Sequence, residues 1–327
     1  MSDPCLQIAD IIRQNQSFLL LTHYRPDGDA VGSQLALAIL LKQLGKQVET
    51  WNDDNVPAKF RFLPQSDIVT RPPDAPKDFD VVIAVDTSTW QRVGTAAQRI
   101  GAKKYFINID HHVSNEKFAD INWVVPEAPA TGQIIFDLIK RGGFKLDLDI
   151  ATCLYAAIST DTGSFTYTNT TAASLRAAAD LVETGVNVGE LCRHVYESYP
   201  RARLQLLQLA LADLTLADHN RIAYYWLTND MFAQTGAKRE DTEGLIDYAR
   251  SIQGVLVAVL FEETPETGKI RMSFRSKHPK VDVNSIARHF GGGGHREAAG
   301  ARITGLPHEV EEKVVAAISA AIKDAGL

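Results

Sequence analysis

The chain has 327 residues, 45% hydrophobic and 23% charged, with a formal net charge of −6. That length admits one large or two ordinary domains with ample core, and the acid excess argues against a protein that coats long nucleic acid nonspecifically. No apolar run approaches the roughly 20 residues of a membrane span. No basic n-region precedes an apolar stretch at the start, and Cys5, Cys153 and Cys192 form neither a disulfide framework nor a Cys-x-x-Cys pair. The expectation is a globular, cytoplasmic protein without a membrane partner. Charge is unevenly spread: residues 269–302 hold eight Lys or Arg against two acids, a local +6 that fits an anionic ligand.

In chain order, an amphipathic helix is predicted over residues 4–13 and a short buried strand over 18–21. The polar run Thr22-His-Tyr-Arg-Pro-Asp-Gly-Asp-Ala-Val-Gly-Ser33 then leads into a long apolar helix ending near Leu44, with Gly45 as its stop. Strand, polar loop and helix make the front half of a βαβ unit. In this reading His23, Asp27 and Asp29 project from the loop, while Gly28 and Gly32 let the backbone turn tightly. Further strands are predicted at 47–51, 80–85, 105–109 and 121–125, and helices at 131–140 and 149–159. This alternation indicates a parallel sheet, and in such sheets ligands bind beyond the carboxyl ends of the strands.

From Thr171 to about Ala217 the pattern is helical, broken at Gly185 and Pro200. Strands at 221–227, 255–262 and 269–276, with helices at 240–251, 282–290 and 307–325, describe a smaller second α/β domain. The expected division is a first domain over 1–195, a helical linker over 196–220 and a second domain over 221–327, with an active-site cleft between the domains.

Polar residues gather where the predicted strands and helices end: His23, Asp27, Asp29, Asp86, Asp110, His111, His112 and Asp161. So many carboxylates in one place repel one another, and bound divalent cations remove that cost. Carboxylates and imidazoles without thiolate select a hard or borderline metal, Mn²⁺ first, with Mg²⁺, Co²⁺ or Zn²⁺ acceptable. Two such ions are the arrangement of phosphatases and nucleases. In the second domain, Gly291-Gly-Gly-Gly-His295 brings backbone amides without Cβ atoms to a place where they can form an anion nest. Arg275, His295 and the backbone of Gly292, Gly293 and Gly294 are the expected grip on a distant phosphate or terminal nucleotide.

These motifs resemble the DHH phosphoesterase superfamily. His23/Asp27/Asp29 match its first motif, Asp86 its second, Asp110-His111-His112 its third, and Asp161 its fourth. Gly291 to His295 with Ala298-Ala-Gly300 matches the DHH-associated C-terminal domain, so the likeness spans nearly the whole chain. Length and domain pairing resemble the nanoRNase/pAp phosphatase subgroup. That resemblance implies hydrolysis of short oligoribonucleotides and of 3′-phosphoadenosine 5′-phosphate (pAp) by two-metal water activation. It implies one metal on His23, Asp27 and Asp86, a second on Asp29, Asp86, His111 and Asp161, Asp86 bridging, Asp110 orienting an imidazole and His112 facing the phosphate. Cyclic or linear dinucleotide phosphodiesterases share this build, and a homodimer is an allowed assembly. A family II-type pyrophosphatase lacks the Gly-Gly-Gly-His signature, a RecJ-type exonuclease needs further domains, and a non-catalytic nucleotide binder has no need of the metal set.

Overall fold

The computed structural model describes residues 3–264 and 268–327. The chain divides into two compact units, one ending at Ser198 and the other beginning at Tyr199. The first contains α1 (Pro4–Gln14), β1 (Ser17–Leu21), α2 (Gly28–Gln43), β2 (Gln47–Trp51), β3 (Val69–Thr70), β4 (Val81–Val85), β5 (Tyr105–Asp110), β6 (Ile121–Val124), α3 (Thr131–Arg141), α4 (Leu148–Asp161), α5 (Ala172–Glu183) and α6 (Val188–Tyr196). Its sheet is wholly parallel, in the order β3-β2-β1-β4-β5-β6.

That order reverses direction between β1 and β4. The loops leaving these two strands therefore diverge, and a crevice opens at their carboxyl ends. The strands read as unbroken apolar runs because both faces are covered. Phe18 and Leu20 enter the core built with α1, α2, α3 and α4, while Leu19 and Leu21 join Trp51, Phe79 and Phe106 on the other face. Helix α2 is largely apolar and buried on every side from Gly28 through Leu41, as a helix enclosed by its neighbours must be.

The structure corrects the reading of the first polar loop. Helix α2 already begins at Gly28, Asp27 is its N-cap, and Asp29 lies in its first turn. Gly28 and Gly32 have ordinary helical backbones; what they supply is room. A Cβ on Gly32 would sit 2.4 Å from the carbonyl oxygen of Cys153, and one on Gly28 would strike the side chain of Thr160. Small residues let α4 approach α2 closely enough for Asp161, at the end of α4, to reach the residues at the start of α2.

At the opposite end of the sheet, Asp80 clips the strand starts together. Its Oδ2 accepts the amides of Gln16 and Ser17 at 3.0 Å each, and its Oδ1 lies 2.7 Å from Lys104 Nζ. Lys104 and then the two amides hold this carboxyl well below the usual range. A depressed pKa stabilises the fold above the unfolded value of about 3.9, and that stabilisation drains away as pH falls below it. Asp80→Asn is therefore expected to lower stability by about 1 kcal/mol at neutral pH. Urea melts should show the gap closing below about pH 4; a pH-independent gap would refute the assignment.

The second unit contains α7 (Arg201–Ala212), β7 (Thr215–Ala217), β8 (Ile222–Leu227), α8 (Asn229–Thr235), α9 (Ile246–Ser251), β9 (Val257–Thr264), β10 (Lys269–Ser276), α10 (Val283–His289), β11 (Gly293–Gly294), β12 (Ala298–Ile303) and α11 (Pro307–Asp324). Its mixed sheet runs β11-β12-β10-β9-β8-β7, with only β8 and β9 parallel. Helices α10 and α11 cover one face. Helices α7, α8 and α9 cover β8 and β9 on the other. Residues 201–212, within the expected linker, thus pack into this unit as α7. The helix expected over 240–251 is split into a 3₁₀ turn at Arg239–Thr242 and α9, because Gly244 adopts φ +75° between them.

Candidate metal centre

The crevice at the strand reversal collects side chains from the ends of β1, β4 and β5, the start of α2 and the end of α4. Asp86 follows β4 directly and holds a left-handed backbone, φ +52°, with its amide bonded to the carbonyl of Ile109 at 3.0 Å. Asp and Asn tolerate that region better than other non-glycine residues. The bend turns the carboxylate into the crevice: Oδ2 lies 3.5 Å from His23 Nε2 and Oδ1 3.5 Å from His111 Nε2. Asp27 Oδ1 caps α2 through the amide of Ala30, which leaves Oδ2 toward His23 Nε2 at 3.9 Å. Asp29 accepts the amides of Thr131 (2.6 Å) and Gly132 (2.8 Å) at the start of α3, and the hydroxyl of Ser33 (3.0 Å). Asp161 Oδ2 stands 3.4 Å from His111 Nε2.

Two donor groups result, His23/Asp27/Asp86 and Asp29/His111/Asp161, each with ligand atoms within 4.8 Å of one another. The imidazoles are set for ligation. His23 Nδ1 lies 2.9 Å from the carbonyl of Tyr24, and His111 Nδ1 lies 3.2 Å from that of Ala128. A proton on each Nδ1 leaves the Nε2 lone pairs toward the carboxylates. A third grouping, Asp86/Asp110/His112, is different in kind. Asp110 Oδ1 is 2.7 Å from His112 Nδ1, a direct hydrogen bond with no space for an ion between the partners.

The electrostatics show what the site requires. Asp29 and Asp86 are 1% and 2% exposed and Asp110 is fully buried. Burial pushes Asp29 well above the ordinary carboxylate range, and the charges of Asp86, Asp161 and Asp27 push it further, against the amide of Gly132. Burial would raise Asp86 too, but His23, His112 and His111 outweigh it and hold the carboxyl far below its usual range. Adjacent histidines are driven apart. Burial lowers His111 despite Asp86, whereas Asp110, helped by Asp86, overcomes burial and lifts His112 to about 9. His111 is thus kept neutral, as a ligand must be, and His112 is kept as an acid. Carboxylates and neutral imidazoles without a thiol suit divalent cations, and such ions would relieve the repulsion that raises Asp29.

Several participants are silent in the sequence. Thr131 donates its amide to Asp29 and its hydroxyl to Asp86 Oδ1 at 3.1 Å. Asn115 donates to Asp110 Oδ2 at 2.6 Å and to Asn108 Oδ1 at 2.7 Å, anchoring the carboxylate that holds His112. The apolar Ala-Pro-Ala run before Thr131 carries no signal, and a hydrophobic strand reading absorbs Asn108.

In the second unit, Arg275 on β10 pairs with Ala298 on β12, three residues beyond His295, whose amide donates to the Ala298 carbonyl at 2.7 Å. The amides of Gly291 and Gly292 are already committed within the fold rather than open to the expected nest. The amide of Gly291 donates to Arg288 and that of Gly292 to Ala287, and Gly293 and Gly294 form β11 against β12. The glycines are there for close approach: a Cβ on Gly292 would lie 2.1 Å from the Gly300 carbonyl oxygen.

A parallel-sheet domain with two His/Asp donor groups at its strand reversal, followed by a mixed-sheet domain, defines a two-domain phosphoesterase with sites for divalent cations. The DHH family N-terminal domain matches residues 17–158 and the DHHA1 domain residues 220–324. The chain belongs to the DHH/DHHA1 family of NrnA-like bifunctional oligoribonucleases and PAP phosphatases. It is 33% identical over 322 residues to the "bifunctional oligoribonuclease and PAP phosphatase NrnA" of Thermus thermophilus, covering 98% of this chain and 94% of that one. To the protein of the same name from Bacillus subtilis it is 30% identical over 293 residues, covering 88% and 89%. Among solved structures, an exopolyphosphatase-related protein from Bacteroides fragilis superposes with a TM-score of 0.89 at 26% identity, covering 98% and 97%.

Proposed function

We propose that this protein hydrolyses very short oligoribonucleotides to mononucleotides and pAp to AMP, using two divalent cations, Mn²⁺ foremost. The observation that carries the reading is the pair of donor groups meeting at Asp86, and the activities for which the relatives are named supply the substrate class. His23, Asp27 and Asp86 would hold one cation, and Asp29, Asp86, His111 and Asp161 the other. When bound, such ions polarise a phosphoryl oxygen and make water a stronger nucleophile at neutral pH. The chain's own contribution is orientation and proton placement. Thr131 and the start of α3 fix Asp29 and Asp86, Asp110 holds His112 protonated, and His112 Nε2 is the atom from which a proton can pass to the leaving oxygen.

In the DHHA1 domain, Arg275 and His295 are assigned to the far end of the substrate. Arg275→Ala is expected to raise KM for a diribonucleotide about tenfold with kcat little changed, as for a group binding ground and transition states alike. A collapse of kcat at constant KM would remove Arg275 from that role. The whole reading is tested by Mn²⁺-dependent release from a diribonucleotide, a short oligoribonucleotide, pAp, cyclic di-AMP, pyrophosphate and a long single strand. Turnover confined to the short RNAs and pAp supports it, and preference for the cyclic dinucleotide replaces it with second-messenger breakdown.

A further inference from the structure

The metal centre has a cationic neighbour to which none of these roles gives work. Arg92 lies in the 3₁₀ segment Trp90–Arg99 that follows β4. Its carbonyl accepts the amide of Tyr24 at 2.8 Å, tying the loop after β1 to the loop after β4, and its Nη2 lies 3.1 Å from His23 Nδ1. Among the described residues no carboxylate pairs with it, although Asp27 and Asp86 both face the other nitrogen of the same imidazole. An arginine stays charged in any protein environment.

The contact with His23 is not a resting place for this charge. A guanidinium can only donate, so it needs a lone pair on Nδ1, whereas the Tyr24 carbonyl 2.9 Å from the same nitrogen needs a proton there. Ligation through Nε2 requires the second tautomer. Once His23 is a ligand, the Arg92 donors lose that acceptor, while the bond to the Tyr24 amide holds the Arg92 backbone and the guanidinium lies 5.9 Å from the centroid of the Tyr24 ring. The guanidinium charge also acts on His112, so it is felt by rings from both the first and third motif loops.

We propose that Arg92 is a phosphoryl-clamping residue, its guanidinium donating to the non-bridging oxygens of the phosphate over the metal centre. The proposal deepens the phosphoesterase reading and rests on it. A planar fork of donors matches phosphate bidentately, and Arg92 supplies the charge that the carboxylate-rich floor of the site cannot.

The test uses the full chain loaded with Mn²⁺ and follows binding of inorganic phosphate by calorimetry, with Mn²⁺ binding measured separately. Arg92→Ala keeps the backbone bond to Tyr24. It should leave Mn²⁺ stoichiometry and affinity as in the wild type while weakening phosphate about tenfold to a hundredfold. Arg92→Lys, which keeps the charge without the fork, should fall between. Phosphate binding equal to wild type in Arg92→Ala overturns the proposal, as does a loss of Mn²⁺ affinity that by itself accounts for the weaker phosphate. Because this readout needs no turnover, it remains decisive if the wild type fails on the oligonucleotide and pAp panel, a result that removes the substrate assignment alone.

Discussion

Asp86→Asn is expected to lower kcat at least about a thousandfold, roughly 4 kcal/mol of transition-state stabilisation, in a protein that remains folded. Asp86 is the carboxylate with one oxygen toward His23 and the other toward His111, so among the described residues it alone faces the imidazoles of both donor groups. An amide offers one acceptor oxygen and no charge, so one side loses its ligand. Asn is also the informative substitution for the fold. At φ +52° an alanine would add about 1–2 kcal/mol of left-handed strain to the loss of the ligand, whereas Asn tolerates this region. Calorimetry with Mn²⁺ should show fewer or weaker sites, and the thermal stabilisation that Mn²⁺ gives the wild type by mass action should shrink accordingly. Wild-type turnover with unaltered Mn²⁺ stoichiometry would show that Asp86 does not bridge.

Why Asp86 can be found in the sequence while Thr131 cannot is a matter of range. A β-branched run ending in Asp announces a strand end in five residues, and the sheet order places all such ends on one side, which is why His23, Asp86 and the Asp110-His111-His112 triplet were legible. The partners that hold them come from elsewhere in the chain. Thr131 meets Asp29 across 102 positions and Asp86 across 45, and no local pattern encodes such a meeting. Glycine misled twice for the same reason. Gly32 reads as a site of tight turning and Gly292 as a bare amide open to an anion, but both are small because another backbone passes close by, Cys153 in one case and Gly300 in the other. Strand β12 was hidden inside the same glycine- and alanine-rich stretch, since its residues Ala298 to Ala301 have little intrinsic strand preference and are held by pairing with β10.

The second large effect is expected at Asp110, which touches neither donor group. Its Oδ1 is bonded to His112 Nδ1 and its Oδ2 to Asn115, in a pocket with no exposure to water. Asp110→Asn places an NH₂ group against one of two donors. The relaxation open to it is for His112 Nδ1 to become an acceptor, with the ring neutral and its remaining proton on Nε2. The imidazolium then loses the partner that raises its pKa to about 9, and a proton donor to the leaving oxygen is worth about 10²- to 10⁴-fold in kcat. The alkaline limb of the kcat profile should therefore move to lower pH in the variant. Bound cations lower the His112 pKa in wild type and variant alike, so the displacement between the profiles carries the information. Mn²⁺ affinity should change by no more than about tenfold, because His111 keeps its own anchor on the Ala128 carbonyl. This separates Asp110 from Asp86: one variant loses the proton donor with its cations in place, the other loses the cations. A kcat loss with an unmoved pH profile would assign Asp110 to packing instead.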